Sequence, residues 1–277
     1  MGGTMASSTE ARAPGRRRRW AEAIALPAVG VAVVVAAFEV APRIGLLPRS
    51  AFPPFSEIFA ALVDLVTTAA LWEAVLDTLE AWARAMVIAT VIAVPLGLAI
   101  GSSRIGTLLT RPVIDFLRPI PSVALIPILI LLYGTQPEVK VTLAVFGATF
   151  PLLYQAMYGI ADVDPVAKDT GRVFGMPPLT RLRRIVLPSC APYLATGLRI
   201  SASVALILVV TGEYIVGVPG IGREVFITQS SGAYDKAYAW IIVAGLLGLA
   251  VNMCFHAVER RVLFWHPSHR TDEAGEP

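Results

Sequence analysis

The amino-acid sequence predicts an all-α integral membrane protein with six transmembrane helices. Three observations lead to this prediction. The mean hydropathy is +0.68, hydrophobic residues make up 56% of the 277 residues, and charged residues make up only 16%. Apolar segments also recur from about residue 24 to residue 264 without a long polar block between them. We therefore expect one membrane domain at 21–265, with a basic cytoplasmic tail at 1–20 and a second cytoplasmic tail at 266–277.

Six segments are long and apolar enough to cross a bilayer, which takes about 20 residues of helix. Helices are the expected form because backbone polar groups must be satisfied inside the lipid. The first segment follows a cluster of arginines, but it is longer than the usual core of a signal peptide, so we expect an uncleaved span. The predicted spans are 22–42, 78–101, 113–133, 138–160, 193–216 and 238–264.

The distribution of Lys and Arg predicts the orientation of these spans. Sixteen of these residues lie in the regions predicted to be inside the cell, and five lie in the regions predicted to be outside. The inner regions are 1–20, 102–118, 161–192 and 259–277, and the outer regions are 43–77, 134–140 and 217–237. Cytoplasmic flanks retain positive charge, so both termini are predicted to be cytoplasmic. The net charge of +3 then reflects membrane topology and does not indicate a nucleic-acid partner.

Between the first two spans lies an amphipathic stretch that begins near Ser56. We expect Ser56 to cap a helix that lies at the outer membrane surface. The third span is irregular because Pro119, Pro121 and Pro127 each remove a backbone donor. Broken helices at membrane depth face protein or a wet cavity. These prolines are therefore candidates for the wall of a translocation path, or they mark a kinked packing helix.

Charged residues within the spans are informative because burying a charge in lipid is costly. The pairs Glu39 with Arg43 and Glu80 with Arg84 are four residues apart, the spacing at which helical side chains meet. We expect both pairs to neutralise each other near the outer interface. Glu213 has no partner at this spacing, so we predict either an interfacial carboxylate or a residue that lines an outer gate of the path.

A basic stretch, "GRVFGMPPLTRLRRIVLP", lies between the fourth and fifth spans. Asp162 or Asp164 can cap a short helix with Pro165 in its first turn, and Gly175 can end it. A second short helix is predicted from Thr180 to Val186, ending before Pro188. Two short helices with a glycine corner would form a rigid protrusion.

This stretch resembles the EAA loop of binding-protein-dependent ABC importer permeases, whose form is E-A-A, three residues, G, nine residues, I-x-L-P. The matching positions are Gly175, Ile185, Leu187 and Pro188, and the positions of E-A-A are taken by Asp169, Thr170 and Gly171. The segments "FPPFSEIFAAL", "LRPIPSVALIPILILLYG" and "VVTGEYIVGVPGIG" are similar to the nitrate, sulfonate and taurine branch of these permeases. The resemblance covers about residues 22–265.

The resemblance implies a type I ABC importer permease with a coupling loop at about 161–190. Such a loop seats in a groove of a separate ATP-hydrolysing subunit. Asp169 would start the docked helix and Gly175 would permit the corner. The residues that would face the ATPase or anionic lipid headgroups are Arg181, Arg183 and Arg184.

The same resemblance implies a set of partners. They are an ABC ATPase dimer that carries ATP and Mg, an extracytoplasmic solute-binding protein, a second permease copy that is this chain or a paralogue, and membrane lipid. The chain has no G-x-x-x-x-G-K-[ST] motif, so we expect ATP hydrolysis to occur on a separate subunit. We expect no catalytic residue, bound cofactor or metal site in this chain. The expected location is a prokaryotic cell membrane.

The predicted function is therefore the permease subunit of an importer for a small solute such as a sulfonate, taurine or a nitrate-like anion. Three alternatives stay open. The same class of importer could carry a pyrimidine or another vitamin precursor. An intramembrane enzyme would require a motif such as H-E-x-x-H or paired aspartates, and none is visible. In a scaffold without transport, the basic loop would be only a connector and Gly175 would be dispensable.

Overall fold

A computed structural model describes residues 16–262 of the chain, and side chains from 25 to 261. The predicted carboxyl-terminal tail and residues 1–15 of the predicted amino-terminal tail lie outside the described residues. The described chain contains helices connected by short turns, as predicted. It divides into two compact units, of which the first ends at Ala60 and the second begins at Ala61.

The first unit contains helix α1 (Arg16–Arg43) and the beginning of helix α2 (Phe55–Val66). Glu39 forms the predicted ion pair with Arg43. The carboxylate of Glu39 also accepts hydrogen bonds from Ser56, at 2.9 Å from the backbone nitrogen and 3.1 Å from the hydroxyl. The prediction that Ser56 caps α2 is wrong, because the helix begins at Phe55. The Glu39 carboxylate instead satisfies one of the unpaired N–H groups of the first turn of α2.

The second unit is built around helix α6 (Glu138–Ala161), which packs against helix α3 (Ala69–Gly101) and helix α9 (Leu187–Val216). Helix α3 begins at Ala69, earlier than the predicted start at 78, because Thr68 caps it by accepting a hydrogen bond from the Leu71 N–H. The contact between α3 and α6 depends on small residues in α3. A side chain at Gly97 would come within 2.8 Å of the Leu153 carbonyl oxygen.

The third predicted span is broken. Helix α4 (Arg104–Leu117) is followed by a 3₁₀ turn at Ser122–Leu125 and helix α5 (Ile126–Tyr133), and the two halves are bent by 79°. The bend falls at Pro119 and Pro121, as expected for residues that cannot donate a backbone hydrogen bond. The predicted irregularity of this span is confirmed.

The segment that contains the basic stretch forms helix α7 (Pro165–Val173), helix α8 (Pro178–Arg181) and a π-helical turn at Leu182–Val186 that runs directly into α9. The prediction that the second short helix ends before Pro188 is wrong. Leu187 donates its N–H to the Leu182 carbonyl, so the turn is one residue wider than an α-helical turn. A wider turn makes room for the ring of Pro188, and a proline has no N–H to leave unpaired.

The last two helices of the described chain are α10 (Ile221–Ser230) and α11 (Tyr234–Val262), which pack against each other and against α9. Over residues 16–262, five helices are individually long and apolar enough to cross a membrane. The number becomes six when the bent third pair is taken as one span. The observed helices therefore follow the predicted segments, with the fifth span extended at its amino end.

Candidate functional site

The protrusion at 161–190 begins with a well-formed helix cap. The Oδ1 atom of Asp164 accepts a hydrogen bond of 2.8 Å from the Val166 N–H, and Pro165 occupies the first helical position. Both features favour a helix start at this point. Of the two predicted caps, the structure therefore selects Asp164. Because α7 begins at Pro165, Asp169 lies in the body of the helix, and the expectation that it starts this helix is wrong.

The corner after α7 has the hydrogen bonds of a Schellman motif. The N–H of Gly175 donates to the Arg172 carbonyl at 2.9 Å, and the N–H of Met176 donates to the Gly171 carbonyl at 3.0 Å. Gly175 has a φ of +67°, which is unfavourable for residues with a Cβ atom. A Cβ atom at Gly175 would meet nothing within 4 Å. Glycine is therefore required here for backbone conformation and not for space.

At Gly171, unlike at Gly175, glycine is required because there is no space for a side chain. It is buried where α7 approaches the π-helical turn, and an added Cβ would lie 2.8 Å from Cδ1 of Ile185 and 3.3 Å from the aliphatic stem of Arg181. Gly171 and Ile185, which lie far apart in the sequence motif, thus pack directly together. This contact fixes α7 against the turn that leads into α9.

The other predicted residues of the loop are more exposed. Asp169 pairs with Arg172 at 2.8 Å, with about two thirds of both side chains exposed, and the Thr170 hydroxyl donates to the Val166 carbonyl. Arg183 and Arg184 are exposed on the π-helical turn. The three remaining positions are half-buried Arg181, half-buried Leu187 and exposed Pro188.

The candidate path residues of the third span are all exposed on the surface of the single chain. This holds for Pro119, Pro121 and Pro127. Their place in a translocation path stays a prediction.

Glu213 lies in a fully buried cluster of polar groups. Its Oε1 atom is 2.7 Å from Nζ of Lys140, its Oε2 atom accepts the Gly222 N–H at 3.0 Å, and both oxygens are 3.0 Å from the Thr78 hydroxyl. The Thr78 oxygen in turn accepts the Ile221 N–H at 3.0 Å. Exposure is 0% for Glu213 and 3% for Lys140. Glu213 thus has its partner on another helix and not at the four-residue spacing, and its burial contradicts the predicted interfacial carboxylate. Its place at an outer gate of the path stays a prediction.

Lys140 satisfies the rest of its donor capacity with backbone carbonyls. Its Nζ atom donates to Pro219 at 2.6 Å and approaches the Asp77 carbonyl at 3.3 Å. The cluster therefore ties the first turn of α6, the end of α9, α3 and the turn before α10 to one another. Such a pair is tolerated in a low-dielectric interior because each charge is both paired and hydrogen-bonded.

Two further cations within the spans, Arg84 and Arg199, are also paired with carboxylates. Arg84 forms the predicted pair with Glu80, and Nη1 of Arg199 is 3.2 Å from the Glu259 carboxylate. Arg84, Lys140 and Arg199 thus each lie next to a negatively charged side chain.

Comparison with known proteins identifies the family of this chain. Residues 93–264, more than half of the chain, match the family described as "Binding-protein-dependent transport system inner membrane component". The chain belongs to this family. As an inner membrane component, it is a transmembrane permease subunit, and ATP hydrolysis is the task of a separate partner.

Two relatives align with nearly the whole length of this chain. The putative aliphatic sulfonates transport permease protein SsuC of Bacillus subtilis strain 168 is 24% identical over 257 residues, which is 92% of each chain. The taurine transport system permease protein TauC of Escherichia coli strain K12 is 25% identical over 263 residues, covering 91% of this chain and 94% of TauC. The predicted likeness to sulfonate and taurine permeases is confirmed.

A solved structure confirms the predicted fold class. An inward-facing structure of the MetNI methionine ABC transporter superposes with a TM-score of 0.61 and 18% sequence identity, covering 69% of this chain and 95% of that chain. At this identity the likeness concerns the fold. This chain is therefore an all-α protein with the type I ABC importer permease fold.

Proposed function

We propose that the substrate class of this permease is small anions with a sulfonate group, together with related anions such as nitrate. The observation that carries this proposal is the likeness over more than nine tenths of the chain to permeases named for aliphatic sulfonates and for taurine. Taurine is itself a sulfonate, so the two names share one functional group.

The ion pairs in the spans support a model in which the permease forms the path and a separate solute-binding protein selects the solute. Because Arg84, Lys140 and Arg199 are each neutralised by a carboxylate, they offer no unpaired positive charge to an anion. At these three positions the spans therefore present no isolated cation that would hold an anion tightly, and tight selection suits a separate extracytoplasmic binding protein. We infer that selectivity resides largely in that partner.

The geometry of the loop at 161–190 supports a role as the coupling element. The Schellman corner joins α7 to α8, the contact of Gly171 with Ile185 fixes α7 to the π-helical turn, and that turn is continuous with α9. A displacement of the protrusion would therefore pass to the fifth span without crossing a flexible joint. We propose that this protrusion docks on an ABC ATPase dimer, which supplies ATP and Mg.

We further propose that two copies of the permease, or this chain and a paralogue, enclose one path. This proposal is supported by the exposure of Pro119, Pro121 and Pro127 in the single chain, since a path wall needs a second surface to face. The charge distribution supports cytoplasmic tails at both ends of one membrane domain at 21–265, and the bacterial relatives support a prokaryotic cell membrane. Contact with membrane lipid follows from the apolar spans.

A thermal-shift screen of the cognate solute-binding protein tests the substrate class. The ligands are taurine, alkane and aryl sulfonates, nitrate, and neutral or cationic pyrimidines. We expect the anions to raise the melting temperature, because a ligand that binds only the folded state stabilises it. Stabilisation by pyrimidines alone would contradict the anion assignment and would favour import of a vitamin precursor.

A further inference from the structure

A cavity of about 270 Å³ lies at the base of the protrusion, separate from the buried ion pair. It opens between α7, α8 and the π-helical turn on one side and the ends of α3 and α6 on the other. Its polar lining includes Ser102, Lys168, Arg172 and Arg181. The remaining walls are apolar and include Ile160.

The charged side chains that line this cavity are all positive. Three of the side chains that line it are cationic, and none of its lining residues in the described chain is acidic. Arg172 pairs with Asp169, which is not part of the lining. Lys168 donates one hydrogen bond of 3.0 Å to the Ile160 carbonyl, and an ammonium group has two further donors. Arg181 adds a guanidinium whose fork of donors matches phosphate oxygens.

The position of the cavity indicates which anions can reach it. Ser102 is the residue that follows the last turn of α3, and Ile160 lies in the last turn of α6. Both spans end here, so the cavity lies at the depth where a bilayer changes from hydrocarbon to headgroups. Basic pockets between transmembrane helices on the cytoplasmic side suit the headgroups of anionic lipids.

We propose that this cavity binds a phosphate group, and that its source in the membrane is the headgroup of an anionic phospholipid. The proposal depends on the proposed function only in taking the protrusion as cytoplasmic. The volume suits one headgroup phosphate, with the acyl chains remaining outside in the bilayer. A phosphate held by Lys168 and Arg181 would bridge α7 to α8, which leads into the π-helical turn before α9. It would therefore stabilise the protrusion in the arrangement that we propose for docking.

Native mass spectrometry of the full-length chain, released from nanodiscs of mixed zwitterionic and phosphatidylglycerol lipids, tests this site. We expect the wild type to retain phosphatidylglycerol and the double variant Lys168→Gln/Arg181→Gln to retain about 30-fold less, from the usual contribution of two basic residues near an anionic surface. The matched control is Arg260→Gln/Arg261→Gln, which removes the same charge from exposed positions in the last turn of α11, outside the cavity. This control should retain the lipid nearly as well as the wild type.

A second variant tests whether the lipid needs the space in the cavity as well as its positive charge. Ser102→Phe keeps every cation but adds a large side chain to the lining of the cavity, so it should also release the lipid. Inorganic phosphate is the competing source, and displacement of the lipid by millimolar phosphate in the wild type alone would support the same site with a free anion as its ligand. Equal losses in both double variants, or full retention in Ser102→Phe, would overturn the proposal. The readout is independent of transport, so failure of the proposed substrate class would leave it unaffected.

Discussion

The buried pair of Lys140 and Glu213 joins α6 to α9 through two charges that lie far apart in the chain. The pairs of Glu39 with Arg43 and Glu80 with Arg84 were predictable, because four residues along a helix bring side chains together. The partner of Glu213 is 73 residues away in the chain, in a different helix. Only the packing of α6 against α9 brings the two charges together, so helical spacing could not identify the pair.

Removing one member of this pair is expected to destabilise the protein strongly. Glu213→Gln leaves Lys140 charged and buried without a counterion, which costs about 3–5 kcal/mol for pairs of this kind. Glu80→Gln, which breaks a pair exposed at the surface, should cost about 0–1 kcal/mol. The melting temperature of the purified chain in detergent measures both effects. Equal melting temperatures for the two variants would contradict the structural role of the buried pair.

A double variant distinguishes the loss of charge balance from the loss of packing. In Lys140→Met/Glu213→Gln, no unpaired charge remains in the interior. We expect this variant to be more stable than Glu213→Gln, because replacing both charges by neutral groups avoids the penalty of a buried unpaired charge. A double variant less stable than the single variant would show that the hydrogen bonds of the cluster outweigh its charge balance.

Gly222 should be intolerant of even a methyl group. Its Cβ would lie 2.8 Å from both Cβ of Glu213 and the backbone nitrogen of Tyr214. We expect Gly222→Ala to lower stability by about 1–3 kcal/mol, as is usual for overpacking in a dense core. Gly245→Ala is the control, because a Cβ there meets nothing within 4 Å and Ala favours a helix interior. Thermal unfolding that leaves Gly222→Ala as stable as the wild type would contradict this packing.

Among the helices, the places where a helix breaks were easier to predict from the local sequence than the places where a helix continues. Pro119 and Pro121 act on the backbone next to them, so the broken third span could be read from the sequence. The glycine corner at Gly175 follows in the same way from its backbone conformation. The passage of the helix through Pro188 could not be read, because a π-helical turn depends on how the whole segment packs.

The corner at Gly175 provides the sharpest test of coupling. Gly175→Val should abolish stimulation of ATP hydrolysis by the loaded binding protein, because a β-branched residue resists a positive φ. Gly175→Asn should retain much of it, since Asn tolerates this conformation. Gly232→Val is the matched control, with a φ of +78° at a turn outside the loop. Normal membrane insertion with lost stimulation only in Gly175→Val is expected, and full activity of that variant would favour a plain connector.

The contact between Gly171 and Ile185 can be tested by compensation. In Gly171→Ala, the new methyl group would press on Cδ1 of Ile185 and shift α7 away from the π-helical turn. Replacing Ile185 with Val removes that Cδ1 atom. We therefore expect Gly171→Ala to reduce ATP-driven uptake several-fold and Gly171→Ala/Ile185→Val to restore most of it. A double variant no better than the single variant would show that this contact does not transmit the motion.

For the whole molecule, composition and sequence motifs were sufficient to predict the class of protein. High hydropathy and six apolar segments predicted the helical membrane fold, and the loop motif predicted the family to which the chain belongs. Neither could predict the substrate or the assembly. Under the proposed function, substrate choice depends on a separate binding protein, and the path is enclosed by surfaces that a single chain leaves exposed.

We propose that this permease imports a sulfonate-type anion at the expense of ATP and that the protrusion transmits the motion. The test is uptake of labelled taurine and alkane sulfonates into proteoliposomes that contain the permease, its ATPase and its binding protein. We expect uptake that requires ATP and is lost in Gly175→Val but kept in Gly232→Val. Uptake without ATP, or uptake of a pyrimidine and of none of the anions, would contradict it.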